Sequence, residues 1–175
     1  QASPERAFRA AALVLKQTGC GAVKLEGGAE MAPTIKFLTE RGIPVMAHIA
    51  LTPQHVHTMG GYKVQGKTPA SATKLLNDAL AVEKAGAFAI VLEGIKEEVA
   101  KKITQKLKIP TIGIGASAAC DGQVLVTEDM VNLTPGAKPK FVEIFGDAGA
   151  VVDKAAASYA KEVRAGKFPG KKNIY

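Results

Sequence analysis

FAIVLEG, residues 88–94, is a short apolar run that ends abruptly in an acid and a glycine, and GAVKLEG at 21–27 ends the same way. Runs of this length, apolar throughout and bounded by glycine, read as strands buried on both faces. Working outward, 44–50 (PVMAHIA) and 110–114 (PTIGI) read as further strands, and 123–126 as a fifth. Helical patterns separate them. Ser3-Pro4-Glu5 offers a capping hydroxyl, a proline at the first helical position and an acid near the positive end of the helix dipole. That helix is predicted to run to about Thr18 and stop at Gly19 or Gly21. A second spans 31–40, and a third opens at Thr68-Pro69 with Leu75, Ala79 and Val82 on one face. A fourth carries Val99, Ile103 and Leu107 at spacings of four. Two C-terminal helices follow, the second marked by Val151 or Val152, Ala155, Tyr159 and Val163. Strand alternating with helix specifies α/β architecture, a parallel sheet wrapped by helices. The pattern alone leaves open a closed barrel or an open doubly wound sheet, and no GxGxxG follows a strand to favour a dinucleotide fold.

The chain has 175 residues, 47% of them hydrophobic and 22% charged, which suits one domain over 1–175 with a substantial core. No apolar run approaches the roughly 20 residues needed to span a bilayer, and the start has no signal-peptide pattern. Cys20 and Cys120 have neither metal-ligand nor redox spacing and read as free thiols of a cytoplasmic protein. The net charge of +7 does not indicate nucleic acid, because the basic residues are dispersed and aromatics are only 5%. The basic stretch KEVRAGKFPGKKNIY at 161–175 reads as a solvated tail.

In parallel α/β folds, ligands meet the carboxyl ends of strands. Side chains alternate along a strand, so Lys24 and Glu26 share a face, either as an anion and cation site or as an ion pair within the sheet. Glu93 ends its strand without a basic neighbour in sequence, which suits a general base. His48 interrupts an apolar strand and reads first as a hydrogen-bonded core histidine. His55 and His57 lack matching ligands and are assigned to the surface of a long loop, 51–67, whose length points to function or mobility. The glycines of 113–117 (GIGAS) read as a tight turn or a place where a ligand approaches the backbone.

VKLEGG (23–28), HIALTPQ (48–54), GGYKVQG (60–66), VLEG (91–94), PTIGIGA (110–116) and CDGQVLV (120–126) resemble the ketopantoate hydroxymethyltransferase family in order and spacing, across nearly the whole chain. The resemblance implies a (β/α)8 barrel of the phosphoenolpyruvate/pyruvate-domain type, with about five of the eight strands evident here. It implies hydroxymethyl transfer from methylene-tetrahydrofolate to 3-methyl-2-oxobutanoate in pantothenate biosynthesis, through an enolate stabilised by Mg2+. It further implies a cytoplasmic homodecamer with the keto acid and folate as small-molecule partners. By resemblance Glu26 is a magnesium-site acid, Lys24 and His48 contact the keto acid, and Glu93 is the proton acceptor.

Ala47 and Ala50 stand where the family usually has glycine, and Ser117 where it has another. The family also carries a sizeable stretch before SPERAFR, with further metal-site acids and a substrate-binding serine. The expectation is that these 175 residues alone are weakly stable and essentially inactive. Competing expectations are a related magnesium-dependent lyase or mutase, and a catalytically incomplete barrel. The first lacks its cysteine-containing loop here; retention of Lys24, Glu26, His48 and Glu93 argues against the second, while the family's N-terminal ligands, not among these residues, argue for it.

Overall fold

The computed structural model describes residues 3–55, 57–58 and 61–175, so Gly60 of the GGYKVQG motif lies outside the described residues. The described chain forms two compact units, 1–124 and 125–175.

In the first unit, helix α1 (Pro4–Thr18) begins where the capping pattern placed it: Ser3 Oγ accepts from Arg6 N at 3.3 Å. It ends at Gly19, whose φ of 69° and N–H to Leu15 O close the last turn. Strand β1 (Val23–Glu26) leads through a 3₁₀ turn at Ala29–Met31 into α2 (Ala32–Thr39) and then β2 (Val45–Ala50). Helix α3 (Pro69–Lys84) starts in a capping box formed by Thr68 and Ser71. Strand β3 (Ala89–Glu93), α4 (Glu97–Lys106), β4 (Thr111–Ile114) and β5 (Gly122–Gln123) complete the unit.

All five strands pair in parallel, in the order β1-β2-β3-β4-β5. A doubly wound sheet reverses its strand order at a switch point. This sheet never reverses, which is the winding of a β/α barrel wall. The register then sorts the side chains. Glu26 pairs with His48, His48 with Val91, and Ala50 with Glu93, so Lys24, Glu26, His48 and Glu93 all lie on one face. On the opposite face Val45, Ala47, Ile49, Ile90 and Leu92 are buried against Ile35 and Leu38 of α2, Leu75, Ala79 and Val82 of α3, and Ile103 of α4. Burying each such branched side chain stabilises by about 1.5–3 kcal/mol, and this layer holds the polar face in place.

The fifth strand departs from expectation. It covers only Gly122–Gln123 rather than 123–126, and Val124 and Val126 are exposed. The link 115–121 is too short for a crossover helix, and β5 is held by its pairing with β4 and by Gln123 Nε2 donating to Ser117 O. Gly113 serves packing: a Cβ there would stand 2.8 Å from Gln123 Oε1 and 3.2 Å from Cys120 Sγ. At the amino ends of β4 and β5, Asp121 Oδ2 accepts from Thr111 N (2.8 Å) and Thr111 Oγ1 (3.0 Å), which holds its carboxyl below the usual range.

The second unit contains a short α5 (Thr127–Met130) and α6 (Ala148–Arg164), capped by Asp147, whose Oδ1 accepts from Ala150 N. The row expected to be its apolar face, Val151, Val152, Tyr159 and Val163, is exposed, and Tyr159 meets Phe168 ring to ring at 5.3 Å. Among the described residues no helix is long and apolar enough to cross a membrane.

Candidate active site

Four side chains from three strands, β1, β2 and β3, converge toward the strands' carboxyl ends. Lys24 Nζ lies 3.0 Å from His48 Nδ1 and 3.7 Å from Glu26 Oε1. Glu26 Oε1 is 3.8 Å from His48 Nδ1, and His48 Nε2 is 3.1 Å from Glu93 Oε2. The side chains of His48 and Glu26 are almost fully buried, Glu93 is largely buried, and Lys24 is about half exposed. Lys24 and Glu26 are therefore near enough to attract, as the ion-pair reading of this pair expects.

The chemistry of the donors sets the histidine's tautomer. An ammonium only donates, so Nδ1 accepts from Lys24 and the ring proton sits on Nε2, facing Glu93. That approach is close but poorly aligned, and His48 Nε2 makes no hydrogen bond among the described residues. A buried N–H without a partner costs about 1–3 kcal/mol, so this group is primed for a ligand oxygen. Glu93, which has no basic neighbour in sequence, has this one through the register of β2 and β3.

The backbone encloses the cluster. Gln54 N donates to Glu26 Oε2 at 3.1 Å, bringing the start of the 51–67 loop over the site. Past its described middle the loop is pinned again, by Gln65 N to Gly94 O (2.7 Å) and Lys96 N to Gln65 O (3.0 Å). His55 and His57 are exposed on this loop, as assigned. Ser117 does not join the cluster; its Oγ accepts from Ala119 N and its carbonyl accepts from Gln123 Nε2.

A hard oxygen donor at Glu26 suits magnesium in kind, since that ion takes one or two carboxylates plus substrate oxygens and water. Among the described residues no three His, Cys, Asp or Glu side chains are grouped to hold a metal ion, so Glu26 alone does not make a complete shell.

Sequence reasoning missed Asp78. It belongs to α3, is buried, and reaches the turn after Glu26 by accepting from Ala29 N at 3.1 Å. The available signal was periodicity: Leu75, Asp78, Ala79 and Val82 fall on one helix face, and an acid on a core-facing row calls for an explanation.

The family model described as ketopantoate hydroxymethyltransferase matches residues 1–171. A 3-methyl-2-oxobutanoate hydroxymethyltransferase of Cereibacter sphaeroides (strain ATCC 17025) is 55% identical over 173 residues, covering 99% of this chain and 62% of that protein. Its namesake from Rhodospirillum centenum is 53% identical over 175 residues, covering 100% of this chain and 64% of that protein. The chain thus spans a little over three-fifths of the length of these curated relatives. Among solved structures, a chain from Burkholderia cenocepacia whose assignment as a lyase/mutase is itself provisional aligns with TM-score 0.46 and 14% identity. That alignment covers 96% of this chain and 58% of that one, too distant a likeness to carry weight. With its motifs in order and the family's model matched nearly from end to end, the chain belongs to the ketopantoate hydroxymethyltransferase family.

Proposed function

We propose that the protein transfers a hydroxymethyl group from methylene-tetrahydrofolate to 3-methyl-2-oxobutanoate, giving ketopantoate for pantothenate synthesis. One observation carries the reading: Lys24, Glu26, His48 and Glu93 meet on one face at the carboxyl ends of three adjacent strands, each within 4 Å of another. The names of the relatives in C. sphaeroides and R. centenum supply the substrate.

The chemistry needs a base beside the carbon next to a ketone and positive charge beside the ketone and carboxylate. Glu93 is the base and takes the C3 proton; the C–H electron pair moves into the C2–C3 bond and charge gathers on the ketone oxygen. The resulting nucleophilic carbon forms a C–C bond to the methylene carbon carried by folate. Over the reaction both C–N bonds of that methylene break, water supplies the hydroxyl oxygen, and the C3 proton and one proton from water leave with tetrahydrofolate. Lys24, half exposed at the rim, offsets the substrate's carboxylate charge. His48 offers its unpartnered Nε2–H to a substrate oxygen while bordering Glu93. Magnesium held by Glu26 supplies further positive charge at the keto-acid oxygens when bound. Gln54 N, donating to Glu26 Oε2, holds that carboxylate in place from the backbone.

The same reading carries a homodecamer in the cytoplasm. The exposed apolar row on α6 is the kind of surface that association covers, and the free Cys20 and Cys120 suit a reducing compartment.

The test is magnesium-dependent deuterium exchange at C3 of 3-methyl-2-oxobutanoate, followed by proton NMR without folate. Glu93→Gln is expected to slow exchange by about 10²–10⁴-fold. Equal exchange by the variant overturns the base assignment; no exchange by these 175 residues alone is what their expected incompleteness gives, and no exchange by a longer chain that includes them overturns the reaction.

A further inference from the structure

The chain leaves Glu26 through Gly27, whose φ of 126° is glycine territory, and Gly28. Three successive backbone N–H groups in this turn each have an acceptor. Gly27 N donates to His48 O (2.9 Å), Gly28 N to Glu30 Oε1 (2.8 Å) and Ala29 N to Asp78 Oδ1 (3.1 Å). Asp78 comes from α3, 49 residues away. Its other oxygen accepts from Lys74 Nζ at 2.6 Å, one helical turn earlier, and this hydrogen bond raises the Lys74 pKa.

The fit between Asp78 and the turn is close. A Cβ on Gly28 would lie 2.4 Å from Asp78 Cγ and 2.6 Å from Oδ1, so the carboxylate occupies space that only glycine leaves. A buried carboxylate is costly unless paired and hydrogen-bonded, and Lys74 and Ala29 N provide both. The same helix follows the 51–67 loop, whose Gln54 N touches Glu26 from the other side. Glu26 is thus framed by a loop before α3 and a side chain within it.

We propose that Asp78 is a positioning residue for Glu26: by clamping the turn at 27–29 it fixes where the Glu26 carboxylate stands beside Lys24 and His48. The proposal rests on Glu26 serving magnesium-dependent keto-acid binding. Asp78 touches none of the reacting groups; it acts through the backbone that carries Glu26.

The test is calorimetric titration of the purified protein with 3-methyl-2-oxobutanoate, with and without magnesium, alongside thermal melts and steady-state kinetics. Asp78→Ala removes the acceptor of Ala29 N and is expected to weaken magnesium-dependent binding at least about tenfold, as loss of supporting contacts around a metal site does. Its KM is expected to rise by more than kcat falls. Asp78→Asn keeps an oxygen for Ala29 N and is expected to bind within about threefold of wild type, since only its charge partner is lost. Thr111→Val, at the far end of the strands, serves as the destabilised control, its melting point lowered and its binding unchanged. Should Asp78→Ala not fold, Gly28→Ala drives a methyl into Asp78 and is expected to show the same weakening. Asp78→Ala or Gly28→Ala binding within twofold of wild type overturns the positioning role, as does a Thr111→Val variant that binds equally poorly. Wild-type protein without magnesium-dependent binding overturns the reading of the site, and the role of Asp78 with it.

Discussion

Ala50 closes β2 with a φ of +76°, a left-handed conformation that ordinary side chains resist, and it does so while buried opposite Glu93. Its methyl meets the preceding backbone at a cost of about 1–2 kcal/mol, partly offset by what the methyl contributes through burial and through a stiffer unfolded chain. Ala50→Gly is expected to stabilise the protein by roughly 0.5–1 kcal/mol, read as a higher urea midpoint at unchanged slope. A lower midpoint would show that burial of the methyl outweighs the strain. The sequence marked Ala50 as unusual against its family; the sign of the backbone angle came only with the structure. His48 teaches the same lesson from the other side. As a lone histidine in an apolar strand it favoured the core, and it is buried; what the sequence did not contain is that Lys24 and Glu93, 24 and 45 residues away, flank its two ring nitrogens.

At the scale of elements, helix starts were legible because caps are local chemistry: Ser3 and Thr68 each bind the backbone a few residues on. Strand β5 was not, because its extent depends on what covers it rather than on its own residues. Asp78 was hidden for a related reason, since its partner at Ala29 belongs to another element. The Thr111–Asp121 link at the amino ends of β4 and β5 gives a pH prediction. The folded state lowers the Asp121 pKa, so the link's stabilisation is present above the unfolded value, roughly 4, and is lost as pH falls through the folded value. Asp147 at the start of α6 and Glu5 in α1 shift in the same direction. Thermal melts from pH 7 to 2 are expected to show the gap between wild type and Asp121→Asn narrowing below about pH 4. A gap constant across that range would show that the carboxylate charge contributes nothing.

For the whole molecule, the sheet has a protected centre and weaker margins. Ile90 to Leu92 in β3 are buried and paired on both sides, whereas β1 has one neighbour among the described residues and β5 is two residues long. Native-state hydrogen exchange is therefore expected to be slowest in β3 and faster by at least about tenfold in β1 and β5. Uniform protection across the five strands would contradict this. The alternation of strand and helix announced this sheet, but the choice between barrel wall and doubly wound sheet waited on the strand order.

That order bears on how the chain reaches its fold. Each strand pairs only with the next in sequence: Val23 finds Val45, Met46 finds Ala89, and Ile90 finds Thr111. The middle search spans 43 residues (46 to 89) against 22 (23 to 45) and 21 (90 to 111), because it alone must carry the 51–67 loop. Loop-closure entropy grows only with the logarithm of length, so doubling the span adds about 0.6 kcal/mol to that one step. The longer separation is therefore a small kinetic handicap. The same logarithm gives the loop room to lengthen or shorten at little cost while the strand pairing beneath it stays the same.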